Sequence, residues 1–228
     1  MRSGWRSPAG VLALAGILLG AAVLGFLLHR LIQPPGTVRA IPPPAPRTGA
    51  PAAPSHPIPD TLPEISLPDR NGQPHRLADW AGKPLVVNFW ATWCEPCRRE
   101  IPLLESIHRE IPRNAVEIVG IAIDHPDSVA KYAEQMKIDY PILMGEKGGL
   151  EAAAAFGMEP MLPFTVFVDA QGRIVTLKIG ELHRDEAAFI LARLADLGAG
   201  RLSLPAAREQ VGDYLRRAAV SRAAAGQE

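Results

Sequence analysis

The chain has 228 residues, 47% of them hydrophobic, with 24 basic and 24 acidic side chains. A formal net charge of +0 argues against nucleic acid as the main partner, because phosphate binding needs a basic surplus on one face. With only 2 Cys, three positions apart, a disulfide-stapled scaffold is excluded.

Residues 1–8 are a short basic end carrying Arg2 and Arg6. Residues 9–28 (AGVLALAGILLGAAVLGFLL) hold no charge, and about twenty apolar residues match the span of a bilayer core for a helix. They predict a transmembrane anchor over residues 9–32, closed by His29 and Arg30. A cleaved signal peptide would have a shorter apolar core and a small-x-small site after it. Here the core is long and is followed by His29, Arg30, Leu31, Ile32 and Gln33, which favours an uncleaved anchor. A buried core helix does not suit a stripe without a polar face. Arg2, Arg6 and the free amino group precede the span and Arg30 and Arg39 follow it, a balance that leans to the N-terminus inside.

Residues 33–62 are dense in Pro and Ala and cannot build a core. They read as a linker, either a semi-rigid polyproline II spacer or a disordered tether. Globular texture runs over residues 63–198. Residues 65–67 and 74–77 flank Asp69-Arg70-Asn71-Gly72, a hairpin signal. Residues 85–90 (LVVNFW) read as a buried strand, and residues 95–111 as a helix with Cys97, Ile101, Leu104, His108 and Ile111 at helical spacing. Pro102 falls inside that helix and predicts a kink. A second buried strand follows at 116–123, a helix at 127–136, a short strand at 141–144 and a short Ala-rich helix at 151–156. Strands at 164–169 and 173–179 are joined by Ala170-Gln171-Gly172, and a helix at 184–197 closes the domain. Strands alternating with helices predict an α/β fold, a mixed central sheet with helices on both faces. The tail, residues 199–228, is polar and Ala-rich, reads as a frayed surface helix and is assigned no function.

The chemistry concentrates in Trp93-Cys94-Glu95-Pro96-Cys97, at the junction of a hydrophobic strand and a helix. Cys94 sits at the helix N-terminus, where unpaired N–H groups and the macrodipole favour a thiolate. Cys97 lies one turn later on the same face, near enough to form a disulfide but more buried. Pro96 suits the first turn, where its missing N–H costs little. Cys94 is therefore expected to attack a partner's disulfide and Cys97 to resolve the mixed disulfide. A structural disulfide closing so small a loop would add little stability. A zinc site would need four ligands, and covalent haem attachment would need His where Arg98 stands. No metal and no cofactor beyond the Cys94–Cys97 redox pair is expected.

VVNFWATWCEPCRREIPLLE, with GIAID, FGMEPMLPFTVFVDAQGRI and Gly180, resembles the membrane-anchored thioredoxin-like proteins of the TlpA/ResA family over residues 63–197. The resemblance implies a thioredoxin-like fold with a strand–helix insert, which residues 126–156 can accommodate. It implies a bacterial thiol–disulfide oxidoreductase with its redox domain on the periplasmic side, reducing disulfides in exported proteins, often during cytochrome c maturation. It implies a membrane thiol donor as electron source. Pro163 matches the family's cis-proline beside the CxxC, and Leu162, Trp93, Glu95 and Pro96 fall where substrate binds. Thioredoxin carries a buried Asp six residues before its first Cys; Asn88 stands there, so that proton acceptor is absent. Glu100, three after Cys97, matches an acidic residue of ResA-like members and would exchange the Cys97 proton. Phe164 departs from the family's more usual Thr, and an aromatic there would narrow the substrate groove. Trp90 reads as core, and His125 as a loop residue.

Three other functions compete for the same features. The same site could run as an oxidase or isomerase, and Glu95-Pro96 leans to reduction only by resemblance. A copper carrier on this fold would space its Cys by three and add a distant His, for which no obvious candidate exists. A peroxiredoxin needs Pro-x-x-x-Thr-x-x-Cys, and Val87 and Ala91 occupy the Pro and Thr positions relative to Cys94.

Overall fold

The computed structural model describes residues 58–112, 115–158 and 161–226, with Leu24, Phe26 and His29 of the N-terminal segment. Residues Met1–Ala50 and Pro51–Glu228 are two separate units. Of the first, Leu24, Phe26 and His29 are helical and exposed. Among the described residues no helix is long and apolar enough to cross a membrane. The expected anchor, residues 9–32, lies outside the described residues apart from those three, as does most of the linker.

The second unit opens with a hairpin of β1 (Ser66–Pro68) and β2 (Pro74–Arg76). Asp69 shapes its turn by accepting from the N–H groups of Asn71 (2.8 Å) and Gln73 (2.9 Å). A 3₁₀ turn follows at Leu77–Trp80. The chain then runs through β3 (Leu85–Trp90), α1 (Glu95–Glu110), β4 (Glu117–Ala122), α2 (Pro126–Met136), β5 (Ile142–Met144) and α3 (Glu146–Ala155). It finishes with β6 (Phe164–Val168), β7 (Ile174–Ile179), α4 (Arg184–Gly198) and α5 (Leu204–Ala224).

β3 lies at the centre of a five-stranded sheet of order β5-β4-β3-β6-β7. It runs parallel to β4 and antiparallel to β6. All six residues of LVVNFW are buried because both faces are covered. Alternation divides them: Val86 and Trp90 join the core beneath α1, α2, α4 and α5, whereas Leu85, Val87 and Phe89 join the core with the hairpin and α3. This is the expected mixed sheet with helices on both faces, and residues 126–156 hold α2, β5 and α3.

Three expectations need correction. The folded unit begins before residue 63: Leu62 N–H donates to the Gly172 carbonyl (2.8 Å) and Ile174 N–H to that of Asp60 (2.9 Å). α3 starts at Glu146 rather than 151, running through Gly148 and Gly149. A Cβ on Gly148 would lie 2.5 Å from Leu67 Cδ2 and one on Gly149 2.9 Å from Ile123 Cγ1, so these glycines serve close packing, not helix termination. The tail is no frayed helix: α5 buries Ala207 and Val211 fully and packs on α4 and β7. Arg208 fastens it, donating to the Ile174 carbonyl (2.7 Å) and to Asp60 Oδ1 (3.0 Å). Small Ala side chains made that buried stripe hard to see.

Gly120, in β4, is a close-approach glycine beside the strand that leads to the cysteines, opposite Asn88. A Cβ there would lie 2.9 Å from Trp90 Nε1 and 3.1 Å from Tyr140 Cε2, and both rings are fully buried. Gly120→Ala is expected to destabilise the domain by about 1–3 kcal/mol through overpacking, read as a lowered midpoint in urea unfolding. An unchanged midpoint would show that the two rings move aside freely.

Candidate active site

The site is built where β3 ends and α1 begins. Cys94 is the N-cap residue of α1, and Cys97 N–H points at its Sγ (3.3 Å). The two sulfurs are joined in a disulfide, with Cα atoms 5.3 Å apart. Cys94 is 5% exposed and Cys97 is fully buried, so of the two only Cys94 reaches the surface. In the dithiol form the helix N-terminus and the Cys97 N–H would stabilise a Cys94 thiolate. Trp93 is 70% exposed beside it, Glu95 is exposed and Pro96 half-buried in the first turn. The helix continues through Pro102 to Glu110.

The approach to Cys94 is held by Asp124, a residue with no motif of its own. Asp124, buried past the end of β4, accepts from Thr92 N–H (3.0 Å) and the Thr92 hydroxyl (2.5 Å) through Oδ2. Its Oδ1 accepts from His125 N–H (2.7 Å). One carboxylate thus ties the Ala91–Cys94 loop to the start of α2, where His125, a loop residue as expected, serves as the N-cap. The only sequence signal was an Asp following a buried strand.

Leu162-Pro163 is a cis peptide, as expected. Phe164 pairs with Phe89, so Pro163 falls at the end of the sheet where β3 delivers the CxxC loop. Gly180, at φ +81°, donates to the Pro163 carbonyl (2.8 Å) and fixes the segment from the other side. Leu162 is half-buried. Phe164 does not narrow a substrate groove. It is fully buried and stacked on Phe89 at 4.2 Å, on the sheet face away from α1, because alternation after Pro163 turns it inward. Trp90 is fully buried, as read.

Glu100 is 1% exposed, on the buried face of α1 one turn after Cys97. Residues three apart on a helix are neighbours, with Cβ atoms roughly 5–6 Å apart. Its Oε1 accepts from Asn88 Nδ2 (2.7 Å) and its Oε2 from Leu182 N–H (2.6 Å). The same Asn88 amide donates to Thr165 Oγ1 (3.0 Å). Burial pushes the Glu100 carboxyl up to about 7, against the pull of the Leu182 and Asn88 hydrogen bonds. An amide at position 88 suits this carboxyl in both states. It donates to the carboxylate, and turned over it accepts from the acid. Thr165 and Leu182 were not foreseen, because strand pairing and a backbone N–H bring them in. Among the described residues no group of three or more His, Cys, Asp and Glu side chains could hold a metal ion.

The raised Glu100 pKa has a defined effect on stability. Between about 4.5 and about 7 the native state keeps a proton that the unfolded chain has released, so stability falls as pH rises through that window. The oxidised protein should lose on the order of 3 kcal/mol across it, and Glu100→Gln should lack that loss. Urea unfolding of both proteins at about pH 5 and about pH 8 measures the difference. Equal pH dependence in the two would mean that Glu100 is ionised throughout.

Comparison with known proteins agrees with this geometry. The AhpC/TSA family model matches residues 58–177, more than half of the chain. The thiol-disulfide oxidoreductase ResA of Geobacillus thermodenitrificans is 32% identical over 127 residues, which are 55% of this chain and 71% of that protein. Among solved structures, a thioredoxin-family thiol:disulfide interchange protein from Chlorobium tepidum is 28% identical with a TM-score of 0.50, covering 57% of this chain and 92% of that one. The MTB dsbF structure, in mixed oxidised and reduced forms, is 26% identical with a TM-score of 0.53, covering 60% and 99%. With a CxxC at the N-terminus of α1 on a thioredoxin-like sheet, the chain belongs to the AhpC/TSA family, as a thiol-disulfide oxidoreductase of the ResA type.

Proposed function

We propose that this oxidoreductase works as a reductase of disulfides in exported proteins, the substrates of cytochrome c maturation among them. In this reading residues 9–32 hold it in the cytoplasmic membrane with its redox domain on the periplasmic side. The observation that carries the chemistry is the unequal burial of the two cysteines beside a buried carboxyl that titrates near neutrality.

The dithiol enzyme reacts through its accessible sulfur. The Cys94 thiolate attacks one sulfur of the substrate disulfide; that S–S bond breaks, and the departing substrate sulfur leaves as a thiolate that takes up a proton. Cys97 then gives its proton to the Glu100 carboxylate, and its thiolate attacks Cys94 Sγ. The second substrate thiol is released, leaving the Cys94–Cys97 disulfide seen here. Two electrons pass to the substrate, and a membrane thiol donor returns them. A carboxyl with a pKa of about 7 is divided between its two forms near neutrality, which suits it to accept the Cys97 proton and release it afterwards. Trp93, Glu95, Pro96, Leu162 and Pro163 flank Cys94 in the roles of substrate contacts.

The reducing direction is supported by Glu95-Pro96 and by resemblance to ResA-like proteins. The anchor is supported by the uncharged run over residues 9–28, in which Leu24 and Phe26 are helical with 63% and 60% of their surface exposed. Outside the cytoplasm disulfides persist, and a reductase there needs electrons delivered from the membrane.

Trapping tests the assignment of roles. Cys97→Ser should accumulate partners as mixed disulfides with Cys94, visible on non-reducing gels and released by dithiothreitol. Partners captured only by Cys94→Ser would invert the two roles. Fractionation tests the anchor: the full chain should stay in membranes through an alkaline wash, and removing residues 9–32 should release it. Release of the uncleaved full chain by the same wash would remove the anchor from the proposal.

A further inference from the structure

The carboxyl of Glu100 is tied to the far end of the chain. Its Oε2 partner is the Leu182 N–H, in the segment that leads from β7 into α4. The start of α4 is gripped from outside by α5. Arg222 donates to Glu186 Oε1 (2.7 Å) and to both oxygens of Asp185 (2.8 and 3.0 Å). The Tyr214 hydroxyl donates to Asp185 Oδ2 (3.1 Å), and its ring stacks on Phe189 at 4.1 Å. Glu186 is 1% exposed, and its Oε2 accepts from His183 N–H (3.0 Å), next to Leu182 in sequence. The same oxygen lies 3.7 Å from Lys178 Nζ.

Two charged groups act on Glu100: Lys178 of β7 favours its ionised form and Glu181 of the β7–α4 segment opposes it. Glu100 in turn helps raise the pKa of the buried Tyr140, before β5. Asn88 of β3 faces it as a neutral donor, and Cys97 lies one turn back on α1. Glu181 is paired to Arg99 (2.7 Å). Lys178 has Glu186 as its ion-pair partner, and Glu186 has Arg222. A buried Glu186 without Arg222 would leave an added negative charge behind Lys178 and would loosen the turn that presents the Leu182 N–H.

We propose that Arg222 of the C-terminal helix is a positioning residue for Glu100: by neutralising the buried Glu186 and clamping the start of α4, it sets how readily the Glu100 carboxyl holds a proton. Both Arg222 and Glu186 lie beyond residues 58–177, so this device sits outside the part of the chain that the family model covers. It deepens the preceding reading, in which Glu100 exchanges the Cys97 proton, but its test observes the carboxyl itself.

The Glu100 titration is read by infrared difference spectroscopy of the oxidised full chain, with Glu100→Gln as the blank. Arg222→Gln should move the titration up, and Glu186→Gln should move it down, each by at least about half a unit. The double variant should return close to the parent, and Arg222→Lys, which keeps the charge, should also stay close to it. Both single variants break the same ion pair, so a purely structural role would shift the titration the same way in both, or not at all; either outcome overturns the proposal. Should Arg222→Gln fail to fold, Glu186→Gln alone still decides, because an unmoved or raised titration there is incompatible with the proposal. Thiol-transfer rates against pH separate the two readings. If the carboxyl shifts as stated while the rate profile stays fixed, the proton role of Glu100 falls and the positioning role of Arg222 stands.

Discussion

A single buried carboxyl organises the redox end of this molecule. Glu100 lies on α1, its two oxygens are held by Asn88 of β3 and by the Leu182 N–H before α4, and Asn88 is bound in turn to Thr165 of β6. Two strands and the segment before α4 are thereby fixed around the turn of helix that carries Cys97. Burying a carboxyl without such donors would cost far more than the packing around it returns. The outcome is a group that remains in the core yet titrates near neutrality. Aspartate in place of Asn88 would set a second acid 2.7 Å from the first, and the two could not both ionise.

Around that centre the fold separates two cysteines that are alike in sequence. The sheet delivers Cys94 to the surface as an N-cap residue, and helical periodicity turns Cys97 inward. The loop before Cys94 is restrained by Asp124, the segment opposite by the Gly180 N–H bonded to the Pro163 carbonyl. Each restraint draws on a different strand end, so the attacking sulfur sits on a rigid base while Trp93 beside it stays open to solvent. The exposed indole and the protected second sulfur follow from one change of direction in the backbone.

α5 extends this logic past the central sheet. It covers α4 with small side chains and grips it with Arg222 and Tyr214, and the Asp185–Glu186 turn it holds adjoins the N–H that binds Glu100. Helix packing and proton affinity are therefore linked through a short run of backbone, residues 182–186.

The sequence alone determined the redox pair, its strand–helix setting and the order of strands and helices. These are local signals: a hydrophobic run, a proline in a first turn, a spacing of three. The cis-proline and the interest of Asn88 and Glu100 came from the resemblance to ResA-like proteins. It left open what depends on contacts between distant segments. Thr165 reaches Asn88 only through antiparallel pairing of β3 with β6, and Leu182 enters through its backbone, which carries no residue signature. The helix expected at 151–156 extends back through Gly148 and Gly149 because Leu67 and Ile123 pack against them, contacts that no local pattern shows. Phe164 resembled a groove residue until alternation placed it on Phe89. The Ala-rich tail hid a packed helix because alanine burial gives almost no hydrophobic contrast. What the tertiary structure decided was which of these residues meet; burial and hydrogen bonding then turned an ordinary glutamate into a group poised near neutral pH, since only a folded core can remove water from a carboxyl and return two donors, the Asn88 amide and the Leu182 N–H, in its place.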